Sequence, residues 1–232
     1  MSDPLRIALV GATGLVGREV MGLAVGREDI RLVAVARREA PLPPGARMEM
    51  FVAEPDKWGE VFEAVRPAAV ICALGTTWKK AGRDEASFRA VDHDLVLATA
   101  AAAKSHGAER FVVVSSAGAD AMSKTFYLRT KGQVEAELGK LRFKRLDVLR
   151  PGLLRGKRSG DRRLLERVGI IASPLADLVL HGSRRAYRSI EAETVAKAAV
   201  ALAMRKAAGR FVHDNDAILR AAASLSVPHP DA

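Results

Sequence analysis

IALVGATGLVGREV, residues 7–20, decides the fold: an apolar run, a glycine turn and the start of an amphipathic segment stand in immediate succession. Ile7 to Val10 read as a strand and Leu15 onward as a helix. Gly11, Gly14 and Gly17 are spaced G-x-x-G-x-x-G between them. This order meets three demands of a phosphate site: a tight turn, close approach of backbone to an anion, and a helix N-terminus whose N–H groups are free. Glycines alone would also suit a strand-to-helix turn that holds nothing. Strand before and helix after favour a dinucleotide.

Outward from this turn, short apolar runs alternate with longer helix-like stretches. The runs are RLVAVA (31–36), MEMFVA (48–53), AVICAL (69–74), RFVVVSS (110–116) and RLDVLR (145–150). Helical periodicity fills 15–25, 57–66, 85–106, 127–141 and 191–206. Strands rich in Val, Ile and Leu that recur after helices predict a parallel sheet covered on both faces, an α/β doubly wound Rossmann fold. The proline-rich APLPPGA (40–46) reads as a loop between strands, because the alternation resumes directly after it. Residues 1–232 are therefore expected to form one domain. Beyond Pro151 the alternation weakens; residues 151–232 are expected to supply substrate-side loops, a small helical cap and a frayed tail.

The composition agrees with a packed α/β chain. Hydrophobic residues make up 49% of the 232 and aromatics only 5%, which favours helices on a sheet over an aromatic-rich sandwich. Lys and Arg number 37 against 27 Asp and Glu, a net charge of +10. Such an excess permits contact with anions, but no aromatics interleave with the basic clusters, so nucleic acid is not the expected partner. With one cysteine, Cys72, no internal disulfide can form. That, the lack of a secretory pattern and the lack of a long apolar span lead to the expectation of a soluble, cytoplasmic protein. The five histidines are dispersed and suggest no metal site.

The end of the second strand bears on which dinucleotide is bound. NAD sites normally carry an acidic residue there for the ribose 2′-hydroxyl. Here the chain reads VAVARRE, with Arg37 and Arg38 in that place. Two guanidiniums suit a 2′-phosphate in charge and in bidentate geometry, which predicts NADP(H). Glu39, next along, leaves NAD(H) open, and solvated arginines would be the plainer reading of the pair.

A use for the cofactor comes from FYLRTKG. Tyr127 and Lys131 stand four apart on a predicted helix and so share one face. Free tyrosine titrates near ~10, and a neighbouring ammonium favours its phenolate, bringing it towards the working range of an acid–base catalyst. The spacing is common by chance, a packed tyrosine and a solvated lysine being the default. Its position after the strand that ends in Ser115 and Ser116 raises it, since a serine hydroxyl there can bind a substrate carbonyl. Cys72, within a predicted strand, reads as an inert core thiol. Trp58 and Trp78 read as packing residues, although the Trp78 loop could face a substrate. The Ala-rich stretch around Ala98 to Lys104 reads as core, while its small residues would also permit a homodimer contact.

At this point the chain resembles the atypical short-chain dehydrogenase/reductases, and most closely the branch typified by the HIV Tat-interacting oxidoreductase-like protein. The resemblance runs through GATGLVG (11–17), ARR (36–38), CALGTTWKKAG (72–82), FRAVDHD (88–94), FVVVSSAGAD (111–120), FYLRTKGQVEAEL (126–138) and LRPGLL (149–154). It implies that Thr13, Gly14, Leu15 and Val16 lie along the pyrophosphate and Arg37 and Arg38 at the 2′-phosphate. Leu74 and Gly75 would line the cofactor, Tyr127 would exchange the proton, and Lys131 would anchor the ribose. Ser115 or Ser116 would meet the carbonyl, with Leu154 and Arg162 closing over the nicotinamide. One residue departs from the pattern: many extended members carry Asn, part of a proton relay through the lysine, where this chain has Asp92.

The expected activity is NADPH-dependent hydride transfer to a small carbonyl substrate by a Ser/Tyr/Lys mechanism. Two alternatives stay open. One is an epimerase or isomerase that uses the bound cofactor transiently. The other is a redox-sensing regulator that binds NADPH and a partner protein with little or no turnover.

Overall fold

A computed structural model of the chain describes residues 3–156 and 187–225. Strands β1 (Leu5–Val10), β2 (Ile30–Ala36), β3 (Glu49–Val52), β4 (Ala69–Cys72), β5 (Arg110–Val114), β6 (Arg145–Leu149) and β9 (Gly209–His213) form one sheet in the order β3-β2-β1-β4-β5-β6-β9. Every neighbouring pair is parallel. A two-residue pair, β7 (Leu154–Arg155) and β8 (Ile190–Glu191), lies apart from it. The doubly wound Rossmann sheet expected from the apolar runs is present.

Both faces of the sheet are covered, which is why its central strands read as unbroken apolar runs. In β1, Ile7 and Leu9 point to one face and Ala8 and Val10 to the other, all four fully buried. The first face packs against α1 (Leu15–Leu23), α6 (Ala192–Met204) and α7 (Asn215–Ala223). The second packs against α2 (Trp58–Val65), α4 (Leu95–Ser105) and α5 (Phe126–Lys140). Burying each large side chain, such as Phe62, Phe111 or Leu138, contributes about 1.5–3 kcal/mol. Alanines do different work. In α6 they let the helix lie close to α1 and α7, and in α4 Ala100 and Ala103 turn into the core.

Two features depart from the sequence reading. The segment 85–106, expected as one helix, is three pieces: α3 (Glu85–Arg89), a wider π turn over Ala90–Asp94, and α4. The π turn adds a residue without breaking the helical path, so the apolar period hides it. The region beyond Pro151 is also more than a helical cap, because β9 adds a seventh strand beside β6. GRFVH lacks the apolar signature since β9 is an edge strand, largely exposed.

A charged cluster fastens this edge. Asp147 on β6 is fully buried and takes a bidentate pair from Arg145, Nε at 2.6 Å and Nη2 at 2.8 Å. His213 of β9 places Nε2 2.8 Å from the same carboxylate. Arg145 also lies over the ring of Phe211, 4.3 Å from its centroid.

Candidate active site

Strand order reverses between β1 and β4, so the loops that follow these strands diverge and open a cleft at the carboxyl end of the sheet. Its volume is about 650 Å³. One wall is the glycine turn, with Thr13, Gly14, Leu15 and Val16; the loop after β4 contributes Leu74 and Gly75. Ser115 and Ser116 follow β5, Tyr127 and Lys131 come from α5, and Leu154 closes the far side. These are residues singled out from the sequence, brought together from five separate places in the chain.

The glycines divide their labour. Gly11 has φ +91°, and a Cβ there would sit 2.6 Å from the Ala73 carbonyl group. A Cβ on Gly17 would fall 2.2 Å from the Gly11 oxygen, so this glycine lets α1 close onto the turn. Neither lines the cleft; both shape its wall. Gly14 does line it, as the residue that caps α1. No side chain caps that helix and no acidic residue stands in its first turn. The N–H groups of Leu15 and Val16 thus carry the helix's positive end towards the cleft without a competing carboxylate, the chemistry a pyrophosphate requires.

Arg37 and Arg38 stand exposed at the end of β2, outside the cleft lining, beside an equally exposed Glu39. Arg162 lies outside the described residues.

On α5, Tyr127, Lys131 and Glu135 follow each other at intervals of four and share a face. Tyr127 is 38% exposed, at the mouth, its ring set edge-on to Phe88 at 5.7 Å. Lys131 is buried, and its Nζ lies 2.8 Å from Oδ1 of Asp92, itself 1% exposed. Burial opposes the ammonium, but the Asp92 carboxylate and then the negative potential of Tyr127 outweigh it, so Lys131 titrates above its ordinary value. The other Asp92 oxygen, Oδ2, accepts from the Thr76 N–H at 2.7 Å. The residue that departs from the resembled pattern is therefore paired with the lysine of the motif.

The two serines are not equivalent. Ser115 is buried and donates its hydroxyl to Glu135 at 2.5 Å, and Glu135 is held in turn by Arg150, with Nη2 at 2.5 Å. Among the described residues, the one contact of the Ser116 hydroxyl is a long one, 3.3 Å, to the carbonyl of Ala117. Cys72 ends β4 in the core; burial pushes its thiol up to about 11, against a smaller opposing hydrogen bond with the Leu74 backbone.

Several lining residues had no signal in the sequence. Thr76, Thr77 and Lys80 reach the cleft only because of the loop after β4, and Arg18 because of the turn of α1. Tyr187 arrives from far along the chain. Its segment is tied to the loop after β6 by Asn215, which accepts from the Gly152 N–H at 2.9 Å and donates to the Arg188 carbonyl at 2.6 Å. Trp78 forms a tilted aromatic group with Phe88 and Phe126, and Trp58 is buried, donating Nε1–H to the Ala53 carbonyl at 3.0 Å.

A profile described as NAD(P)H-binding matches residues 11–206, from the first glycine of the turn to beyond α6. The chain belongs to this NAD(P)H-binding family. Among curated relatives, the mitochondrial protein FMP52 of Meyerozyma guilliermondii is 35% identical over 164 residues, covering 70% of each chain. The mitochondrial fmp52 of Emericella nidulans is 33% identical over 201 residues, 84% of this chain and 85% of the relative. Of the resemblance stated from the sequence, NAD(P)H binding is what these matches show, and the relatives they find are named FMP52. The expected cytoplasmic location is overturned, since those relatives are named mitochondrial. A single cysteine says nothing that separates one reducing compartment from another.

Solved structures agree on the fold of this family member. MoeE5 in complex with UDP-glucuronic acid and NAD superposes with a TM-score of 0.68 at 16% identity, covering 90% of this chain and 75% of that one. The UDP-glucose 4-epimerase of Thermotoga maritima gives 0.66 at 15% identity, covering 89% and 75%.

Proposed function

We propose that the chain is an NADP(H)-dependent reductase of small carbonyl compounds. The observation that carries this reading is the convergence of Tyr127, Lys131 and Ser116 on the cleft that the α1 N-terminus enters. A reduced nicotinamide, when bound there, would supply the hydride for the carbonyl carbon. Ser116, whose hydroxyl is not engaged by a carboxylate, donates a hydrogen bond to the carbonyl oxygen. Ser115 already donates its hydroxyl hydrogen bond to Glu135 and so shapes the strand end instead. Tyr127 delivers its phenolic proton to the oxygen as the C–H bond forms, and its exposure lets water restore the proton. Lys131, kept charged by Asp92, would hold the ribose hydroxyls of the bound cofactor.

NADP(H) is favoured over NAD(H) by Arg37 and Arg38, placed where β2 ends beside the turn. The names of the FMP52 relatives support a mitochondrial setting.

The test is to mix purified protein with NADPH and a broad panel of aldehydes and ketones, following absorbance of the reduced nicotinamide. Turnover that Tyr127→Phe abolishes supports the reductase. Tight NADPH binding with no turnover on any member of the panel would overturn it and leave a cofactor-binding regulator.

A further inference from the structure

We propose that Asp92 is a positioning residue of the cofactor site, gripping Lys131 with one carboxylate oxygen and suspending the loop after β4 with the other. The inference deepens the reading above and rests on a dinucleotide occupying the cleft.

Three observations carry it. Asp92 sits in the π turn of Ala90–Asp94, a widened turn that accommodates an additional residue between α3 and α4. It is 1% exposed and uses both oxygens: Oδ1 on Lys131 Nζ at 2.8 Å, Oδ2 on the Thr76 N–H at 2.7 Å. Those two partners belong to separate elements that both line the cleft, α5 and the loop after β4. A single side chain therefore ties together two elements that line the cleft, and fixes where the Lys131 ammonium sits relative to the loop after β4.

The same contact governs the charge of Lys131. The groups that face it are Asp92 from the π turn, Tyr127 from its own helix and Cys72 from β4. Glu135, one turn further along α5, is held by Arg150. His93, beside Asp92 in sequence, is paired outward with exposed Asp94 at 2.7 Å. Cys72 is a neutral thiol at ordinary pH, so Asp92 is the carboxylate on which the buried ammonium depends. With Asp92 in place the lysine remains protonated through neutral and moderately alkaline pH. Without that charge, burial is left to act nearly alone, and it lowers a lysine's pKa.

Asp92→Asn removes the negative charge that faces Lys131 while its amide oxygen can still accept from Thr76. The experiment measures NADPH affinity by nicotinamide fluorescence from pH 6.5 to 10, for the wild type, Asp92→Asn, and the double variant Asp92→Asn/Lys131→Met. Titration of Lys131 by NMR in the wild type accompanies it. The wild type should bind with little pH dependence up to the ordinary lysine range. Asp92→Asn should lose affinity by up to about tenfold per pH unit from a lower pH, as Lys131 gives up its proton. That slope should vanish in the double variant, which has no titrating group there. Parallel wild-type and Asp92→Asn profiles would overturn the proposal. So would a wild-type Lys131 that titrates below the ordinary lysine range, a result that stands even if Asp92→Asn does not fold. Failure of the wild type to bind either NADPH or NADH is a different outcome, and it would remove the cofactor reading together with this inference.

Discussion

Tyr127 is the residue on which the proposed chemistry turns, and it is one of only two tyrosines in the chain. Replacing it with Phe removes the proton donor and leaves its ring against Phe88. General acid catalysis is worth about 10²–10⁴-fold, so kcat/KM of Tyr127→Phe should fall by that factor while NADPH affinity is little changed. An equal loss in binding would mean the hydroxyl serves the cofactor instead. Arg37 and Arg38 make a separate prediction. A hydrogen bond to a charged group contributes about 1.5–3 kcal/mol, so the double alanine variant should bind NADPH at least about tenfold more weakly and NADH almost unchanged. Equal weakening of both would move the 2′-phosphate site elsewhere. Cys72 offers a control on the core. With its thiol pushed up to about 11, roughly one molecule in a thousand holds the thiolate at pH 8. Burial adds a barrier, so iodoacetamide should modify Cys72 only after denaturation.

At the scale of elements, the glycine turn and the β6–β9 edge each hang on one close packing. Gly17→Ala would drive a Cβ to 2.2 Å from the Gly11 oxygen, and α1 would have to move off the turn. Its first N–H groups would then no longer point where an anion sits. Calorimetry should show loss of NADPH binding beyond what any fall in thermal stability explains; unchanged affinity would mean that the turn does not hold the pyrophosphate. Asp147→Ala strips the buried Arg145 of its counter-charge and His213 of its hydrogen-bond partner, and breaking such a buried pair costs about 3–5 kcal/mol in denaturant unfolding. These elements also show what the sequence disclosed. The central strands β1, β2, β4 and β5 were legible because burial on both faces makes most of their residues apolar, and the half-buried β3 because its run MEMFVA is apolar all the same. β9 was not, because it has a neighbour on one side only and alternates Arg210, Phe211, Val212 with solvent. The Tyr127–Lys131 face could be read from helical spacing. Its pairing with Asp92 could not, since that contact arises where a π turn meets α5, a non-local packing with no sequence period.

At the scale of the whole molecule, the proposed cofactor site joins two halves of one sheet. The glycine turn and Arg37–Arg38 belong to the β1–β3 half, whereas Ser116, Tyr127 and Lys131 belong to the half built on β4, β5 and β6. A ligand lying across the reversal of strand order binds only when both halves are in register, so its free energy adds to the stability of the folded chain. At a ligand concentration 100 times Kd the gain is about 2.7 kcal/mol. For a chain of this size each kcal/mol raises Tm by about 2–4 °C, so NADPH should lift it by about 5–11 °C. NADH at equal concentration should give a smaller rise, and the Arg37→Ala/Arg38→Ala chain should reduce the NADPH shift to the NADH level. A Tm that responds equally to the two cofactors in the wild type would show that the β2 end makes no distinction between them. The elements that Asp92 ties together make one further demand: Asp92→Asn should show its smallest NADPH shift at the alkaline end, because that is where Lys131 loses the charge that binds the half built on α5 to the ligand.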